Sequence, residues 1–141
     1  MSVQWVRQED AYGCVIACLS MIVGRTYADV KAELQCYPAA QGRDFNAEGF
    51  NFFEADAYLA EQGYAIARKY RNYLKQPRDV WPPAPWSDLH ISDVIVFEGA
   101  SMSHAVVVLA DGSVLDPLCS ERKRLTDYFK VHNVAAVTKY C

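Results

Sequence analysis

The sequence predicts an α+β fold, helices packed on a C-terminal antiparallel sheet, and three observations predict it. Residues 13–24 form an uncharged apolar run that ends in glycine. Residues 26–62 then hold two more segments with apolar residues three and four apart. From residue 64 onward the pattern changes to short runs rich in valine, isoleucine and tyrosine, with an Asp111-Gly112 pair set between two of them. Helices that precede the strands, rather than alternating with them, favour antiparallel pairing over a parallel sheet.

The elements follow in order. Residues 14–23 are apolar on almost the whole helical circumference, Ser20 being the exception, so this helix is expected in the core with Gly24 as its stop. Thr26 with Asp29 three residues later resembles a capping box, and Val30 and Leu34 lie four apart, which predicts a second helix over 27–36. Pro38 and Gly42 mark a loop. A third helix is predicted over 46–62, with Phe50, Phe53, Ala57 and Ala60 or Phe52, Ala55 and Leu59 at helical spacing and Gly63 as the cap.

Tyr64 to Tyr70 reads as a strand, and Pro77 to Pro85 then breaks regular structure. Within that loop, Trp81 and Trp86 flank a proline-rich stretch that offers an aromatic contact for a protein partner. Further strands are predicted at 93–97, 104–109 and 134–137, with Asp111-Gly112 turning the chain into Val114-Leu115-Asp116. No repeat or linker divides the chain, so residues 1–141 are expected to form a single domain.

At 141 residues with 52% hydrophobic content, the chain can bury a core without disulfides or metal. A net charge of -3, with the densest basic run confined to residues 121–124, argues against nucleic acid as a partner. The N-terminus lacks an apolar signal core and the longest apolar run is too short to span a bilayer, so a cytoplasmic chain with no membrane segment is expected. Cys14, Cys18, Cys36, Cys119 and Cys141 are odd in number and contain no C-x-x-C pair, which points to free thiols and to neither a disulfide framework nor a zinc ribbon, and no cofactor is expected.

Cys14 stands where the first helix starts, and a helix N-terminus favours a thiolate. Cys18, one turn further in, is expected to be enclosed by Val15, Leu19 and Ile22 and to serve packing. His104 opens an apolar strand directly after the turn 99–103, where an imidazole can reach both a thiol and solvent. Asp116, on the partner strand of the same hairpin, is placed to accept a hydrogen bond from the other ring nitrogen and fix the tautomer. Gln8, six residues before Cys14, can supply a side-chain amide to a developing oxyanion beside the Cys14 backbone N–H. His90 and His132 sit in polar surroundings and are expected at the surface.

Gln8-x5-Cys14-x2-Ala17-x-Leu19-Ser20-Met21-Ile22, with His104-Ala105-Val106-Val107-Val108 and Leu115-Asp116-Pro117, resembles the papain-like cysteine peptidases that cleave double-glycine leader peptides from bacteriocins. The resemblance extends over nearly the full length. It implies a papain-like fold, Cys14 as nucleophile, His104 as base, Asp116 as its orienter, Gln8 as oxyanion donor, and a peptide or protein as substrate. Three other readings stay open at this point. One is glutamine deamidation or transamidation with the same residues. Another is an inactive binding module, favoured by Val15 directly after Cys14. The third is a metal site built from Cys14, Cys18 and one of the three histidines.

Overall fold

The all-round apolar run forms helix α1 (Cys14–Val23), in which residues 15–22 are buried. Its one polar side chain is satisfied internally, the Ser20 hydroxyl donating to the Ile16 carbonyl at 2.8 Å. Gly24 ends the helix at φ 73°, a left-handed conformation that glycine adopts without strain, and returns its N–H to the Ser20 carbonyl. The structure, a computed structural model, describes residues 3–37, 42–44, 49–71 and 89–139 and, within 67–71, the backbone alone. The Trp81 to Trp86 stretch and Cys141 lie outside the described residues.

Helix α2 (Tyr27–Leu34) starts on Thr26, whose side chain accepts the Asp29 N–H, and stops two residues short of the predicted end. Helix α3 (Phe52–Glu61) begins later than expected. Asn51 and Glu54 close a reciprocal capping box there, and that pair sets the first turn. Among the described residues no helix is long and apolar enough to cross a membrane.

Six strands follow among the described residues: β1 (Tyr64–Arg71), β2 (Leu89–Ile95), β3 (His104–Leu109), β4 (Ser113–Asp116), β5 (Cys119–Arg124) and β6 (Lys130–Lys139). They pair antiparallel throughout in the order β1-β6-β2-β3-β4-β5. The fold is thus α+β, with helices α1, α2 and α3 and one antiparallel sheet among the described residues. Strand β2 starts four residues before the predicted strand and ends two before it, leaving Val96 and Phe97 exposed. His90 is not a surface residue but 2% exposed, because β2 is paired on both sides by β3 and β6. His132 is half-buried in β6.

Side chains alternate between the two faces of the sheet. Ala105 and Val107 of β3, with Leu115, Ala135 and Val137, meet α1, α2 and α3 in the main core. Val106 and Val108, with Val114, Val131 and Val134, form a second core on the other face. The short 3-10 turn Leu125–Asp127 and Tyr128 carry the chain across that face from the end of β5 to the start of β6, inserting Leu125 and Tyr128 into it. Full burial of each such aliphatic side chain contributes roughly 1.5–3 kcal/mol. Covering both faces makes β3 and β4 the most enclosed strands, and they carry His104 and Asp116.

Candidate active site

The N-termini of α2 and α3 are closed by the side chains of Thr26 and Asn51, whereas α1 begins at Gly13 with no side-chain cap. Its first helical bond runs from the Ala17 N–H to the Gly13 carbonyl at 3.1 Å, so the N–H groups of residues 14–16 have no intrahelical acceptor. Cys14, half-buried, stands at this open end. Cys18 is wholly buried one turn deeper, and burial pushes its thiol well up.

The segment leading into Cys14 is clamped. Tyr27 donates its hydroxyl to Asp10 Oδ2 at 2.7 Å and accepts the Asp10 N–H at 3.2 Å, while Lys31 Nζ pairs with Asp10 Oδ1 at 2.9 Å. The Tyr27 hydroxyl fills the space where a side chain at Gly13 would stand: a Cβ there would lie 2.0 Å from it. The chain is also tied to the sheet, the Gln8 N–H donating to the Pro117 carbonyl at 3.1 Å and Trp5 Nε1 to the Asp116 carbonyl at 2.7 Å.

His104 and Asp116 fall on the same sheet face, each continuing the alternation of Val106, Val108 and Val114. His104 Nε2 lies 2.7 Å from Asp116 Oδ1, and both side chains are buried. This leaves Nδ1 directed away from Asp116, and the Cys14 thiol stands close enough to the imidazole to act on its protonation. Burial alone would lower the His104 pKa. The hydrogen bond to Asp116, with the nearby Cys14 thiol and the Asp116 charge, outweighs it and pushes the pKa up to about 9. Burial acts on Asp116 in the opposite sense and is likewise outweighed, by hydrogen bonds from His104, Tyr128 and the Leu118 N–H, so its carboxyl is held below the usual range.

Three of the four expected residues therefore converge: Cys14, His104 and Asp116. Gln8 is buried in the same wall, but both of its amide protons are engaged, Nε2 donating to the carbonyls of Asp10 at 3.0 Å and Ala11 at 3.1 Å. Its Oε1 is buried without a hydrogen-bond partner among the described residues. In this state Gln8 orders the approach to Cys14 rather than offering a free donor.

Val15 turns into the main core and so places no bulk at the surface beside the thiol. Among the described residues no group of three or more histidine, cysteine, aspartate or glutamate side chains is arranged to hold a metal. Trp5, Tyr27 and Tyr128 escaped the sequence reading. Aromatic residues in apolar or turn contexts read as core, and only the fold brings their polar tips to Asp10 and Asp116. The turns around His104 carry exposed Phe97, Met102 and Leu118, all at the end of the sheet where β3 begins. No family model and no curated protein matches the sequence.

Proposed function

We propose that the protein is a papain-like cysteine peptidase that hydrolyses a peptide or isopeptide bond through a thioester on Cys14. The observation that carries this reading is the meeting of three groups from three elements. Asp116 of β4 engages one nitrogen of the β3 imidazole, and the thiol at the uncapped end of α1 lies close enough to that imidazole to act on its protonation.

The chemistry follows from those positions. With His104 protonated, Cys14 Sγ attacks the substrate carbonyl carbon as the thiolate, and the electron pair of the C=O bond moves onto oxygen. The backbone N–H groups of the first turn of α1 are the donors for that oxyanion. Collapse of the intermediate breaks the C–N bond, and His104 gives its Nδ1 proton to the leaving amine. Neutral His104 then takes a proton from water, which attacks the thioester and releases the acid and the thiol. Asp116 keeps the ring oriented through both steps. For Gln8 to add a second oxyanion donor, one of its bonds to Asp10 or Ala11 has to be given up as the intermediate forms. Four free cysteines among the described residues suit a reducing, cytoplasmic setting.

Deamidation or transamidation would use the same nucleophile and base and differ in the leaving group and acceptor. One experiment separates them. A peptide library incubated with the protein and read by mass spectrometry is expected to give backbone fragments that vanish with Cys14→Ala. A gain of about one dalton without cleavage would assign a deamidase instead. The absence of any Cys14-dependent product, together with a Cys14 that resists electrophilic peptide traps, would reduce the chain to a binding module.

A further inference from the structure

We infer that Tyr128 is a positioning residue of this site, its hydroxyl fixing the Asp116 carboxylate so that the other carboxylate oxygen faces His104. What the carboxylate is positioned for rests on the peptidase reading. The contact itself does not.

A carboxylate has two oxygens to satisfy, and a buried one left without a donor is costly. At Asp116, Oδ1 accepts both His104 Nε2 at 2.7 Å and the Leu118 N–H at 2.9 Å. Oδ2 accepts the Tyr128 hydroxyl at 2.6 Å, in the range of a charge-assisted O–H···O bond. Asp116 is 4% exposed, so water is a poor substitute for that donor. Without the hydroxyl the group has two ways out: it can turn to share the His104 and Leu118 donors between its oxygens, or it can take up a proton. Either outcome changes what His104 experiences.

The donor is delivered by a rigid support. Tyr128 is 3% exposed within the second core, and its backbone N–H is bonded to the Leu125 carbonyl at 3.2 Å. Lys123 Nζ lies 5.9 Å from the ring centroid, on the face of the ring. Burial first, and then the Asp116 carboxylate, push the phenol's pKa up, so it remains a donor at any pH the protein meets. The titratable groups around the chain of contacts are Cys14 and Cys18 from α1, His104 from β3, Cys119 and Lys123 from β5, and Asp127 from the 3-10 turn. None of them replaces the hydroxyl on Oδ2.

Tyr128→Phe keeps the ring and removes the hydroxyl. NMR titration of the full chain is expected to show the Asp116 carboxyl titrating at higher pH in the variant than in the parent, with altered His104 ring-nitrogen shifts. Turnover is expected to fall roughly tenfold in kcat with KM little changed, its acid limb moving to higher pH. Unchanged Asp116 and His104 titrations in a folded variant would overturn the inference and leave Tyr128 as packing. Should the variant not fold, the parent protein gives the answer. Its Tyr128 hydroxyl proton is expected as a slowly exchanging downfield resonance that disappears as Asp116 is protonated, and the absence of such a resonance would equally overturn the inference. The NMR arms need no substrate. A shifted Asp116 in a protein that cleaves nothing would sink the peptidase reading alone, and an unshifted one in an active peptidase would sink only the role of Tyr128.

Discussion

Cys14 and Cys18 occupy one helix a single turn apart, and their surroundings differ. Cys18 is enclosed by the main core, where burial disfavours its thiolate. Cys14 is half-buried at a helix end whose N–H groups are open, with His104 as neighbour. Cys36 supplies an internal comparison, an exposed thiol whose Sγ lies 3.5 Å from the Glu33 carbonyl. Exposure alone would make Cys36 the fastest to alkylate. If the thiolate is what decides, iodoacetamide at pH 6 under native conditions should modify Cys14 first, Cys36 slowly and Cys18 not at all, as read by peptide mass mapping over time. Rates for Cys14 no greater than those for Cys36 would mean that helix end and imidazole do not activate the thiol. The same mapping on His104→Ala should bring Cys14 down to the rate of Cys36.

At the scale of elements, the first turn of α1 is held in place by α2, and Gly13 is where the two meet. A methyl group there would stand 2.0 Å from the Tyr27 hydroxyl and 3.2 Å from the Asp10 carbonyl oxygen, so Tyr27 has to move and its bonds to Asp10 loosen. Gly13→Ala is expected to cost about 1–3 kcal/mol in chemical denaturation and to slow Cys14 alkylation, although alanine is the better helix former. Adding Tyr27→Phe should recover part of the stability by removing the clashing oxygen. A Gly13→Ala variant as stable as the parent would show that Tyr27 does not pack under this turn. Helix α1 and strand β3 were legible to the residue because each is an unbroken apolar run with sharp ends, Gly13 and Gly24 for one, the 99–103 turn and Asp111-Gly112 for the other. Strand β5 was not, because an edge strand of sequence CSERKR shows its charges to solvent and has no apolar face to announce it. The start of β2 was hidden for the converse reason. His90 and Ser92 look like loop residues, yet the Ser92 hydroxyl is satisfied inside the sheet by the Asn133 carbonyl at 2.9 Å. Cys14, His104 and Asp116 could be read from the sequence because they sit at the ends of such legible elements. The Tyr128 contact joins residues 12 apart in sequence, which no local pattern encodes, and the Gln8 bonds, though they reach carbonyls only 2 and 3 residues on, depend on a turn before α1 that carries no motif.

For the molecule as a whole, the site is also a joint: Cys14 belongs to the helical layer, His104 and Asp116 to the adjacent strands β3 and β4, and Tyr128 to the segment that covers the sheet's other face. Proton binding there is therefore felt by the global unfolding equilibrium. His104 has its pKa raised from 6.5 to about 9, so the folded state holds a proton that the unfolded state gives up. The stability this provides is complete below pH 6.5 and is lost as pH rises toward 9. His90 works the other way. Burial lowers its pKa from 6.5, so the folded state resists the proton that the unfolded state accepts, and stability falls as pH drops below 6.5. Asp116, held below its ordinary 3.8, adds stability that is present above that value and disappears further into acid. Two buried histidines with opposite slopes place the maximum of the melting temperature near pH 6.5 rather than at the isoelectric point. Thermal unfolding followed between pH 5 and 9 (roughly the window in which histidines titrate) checks this, with His104→Gln as the decisive variant. It should melt lower than the parent at neutral pH, and the gap should close as the pH approaches 9, because the parent loses its ion pair and the variant has none to lose. A gap that stays constant across the range, or widens toward alkaline pH, would mean that His104 carries no extra proton in the folded state and that its contact with Asp116 is a neutral hydrogen bond.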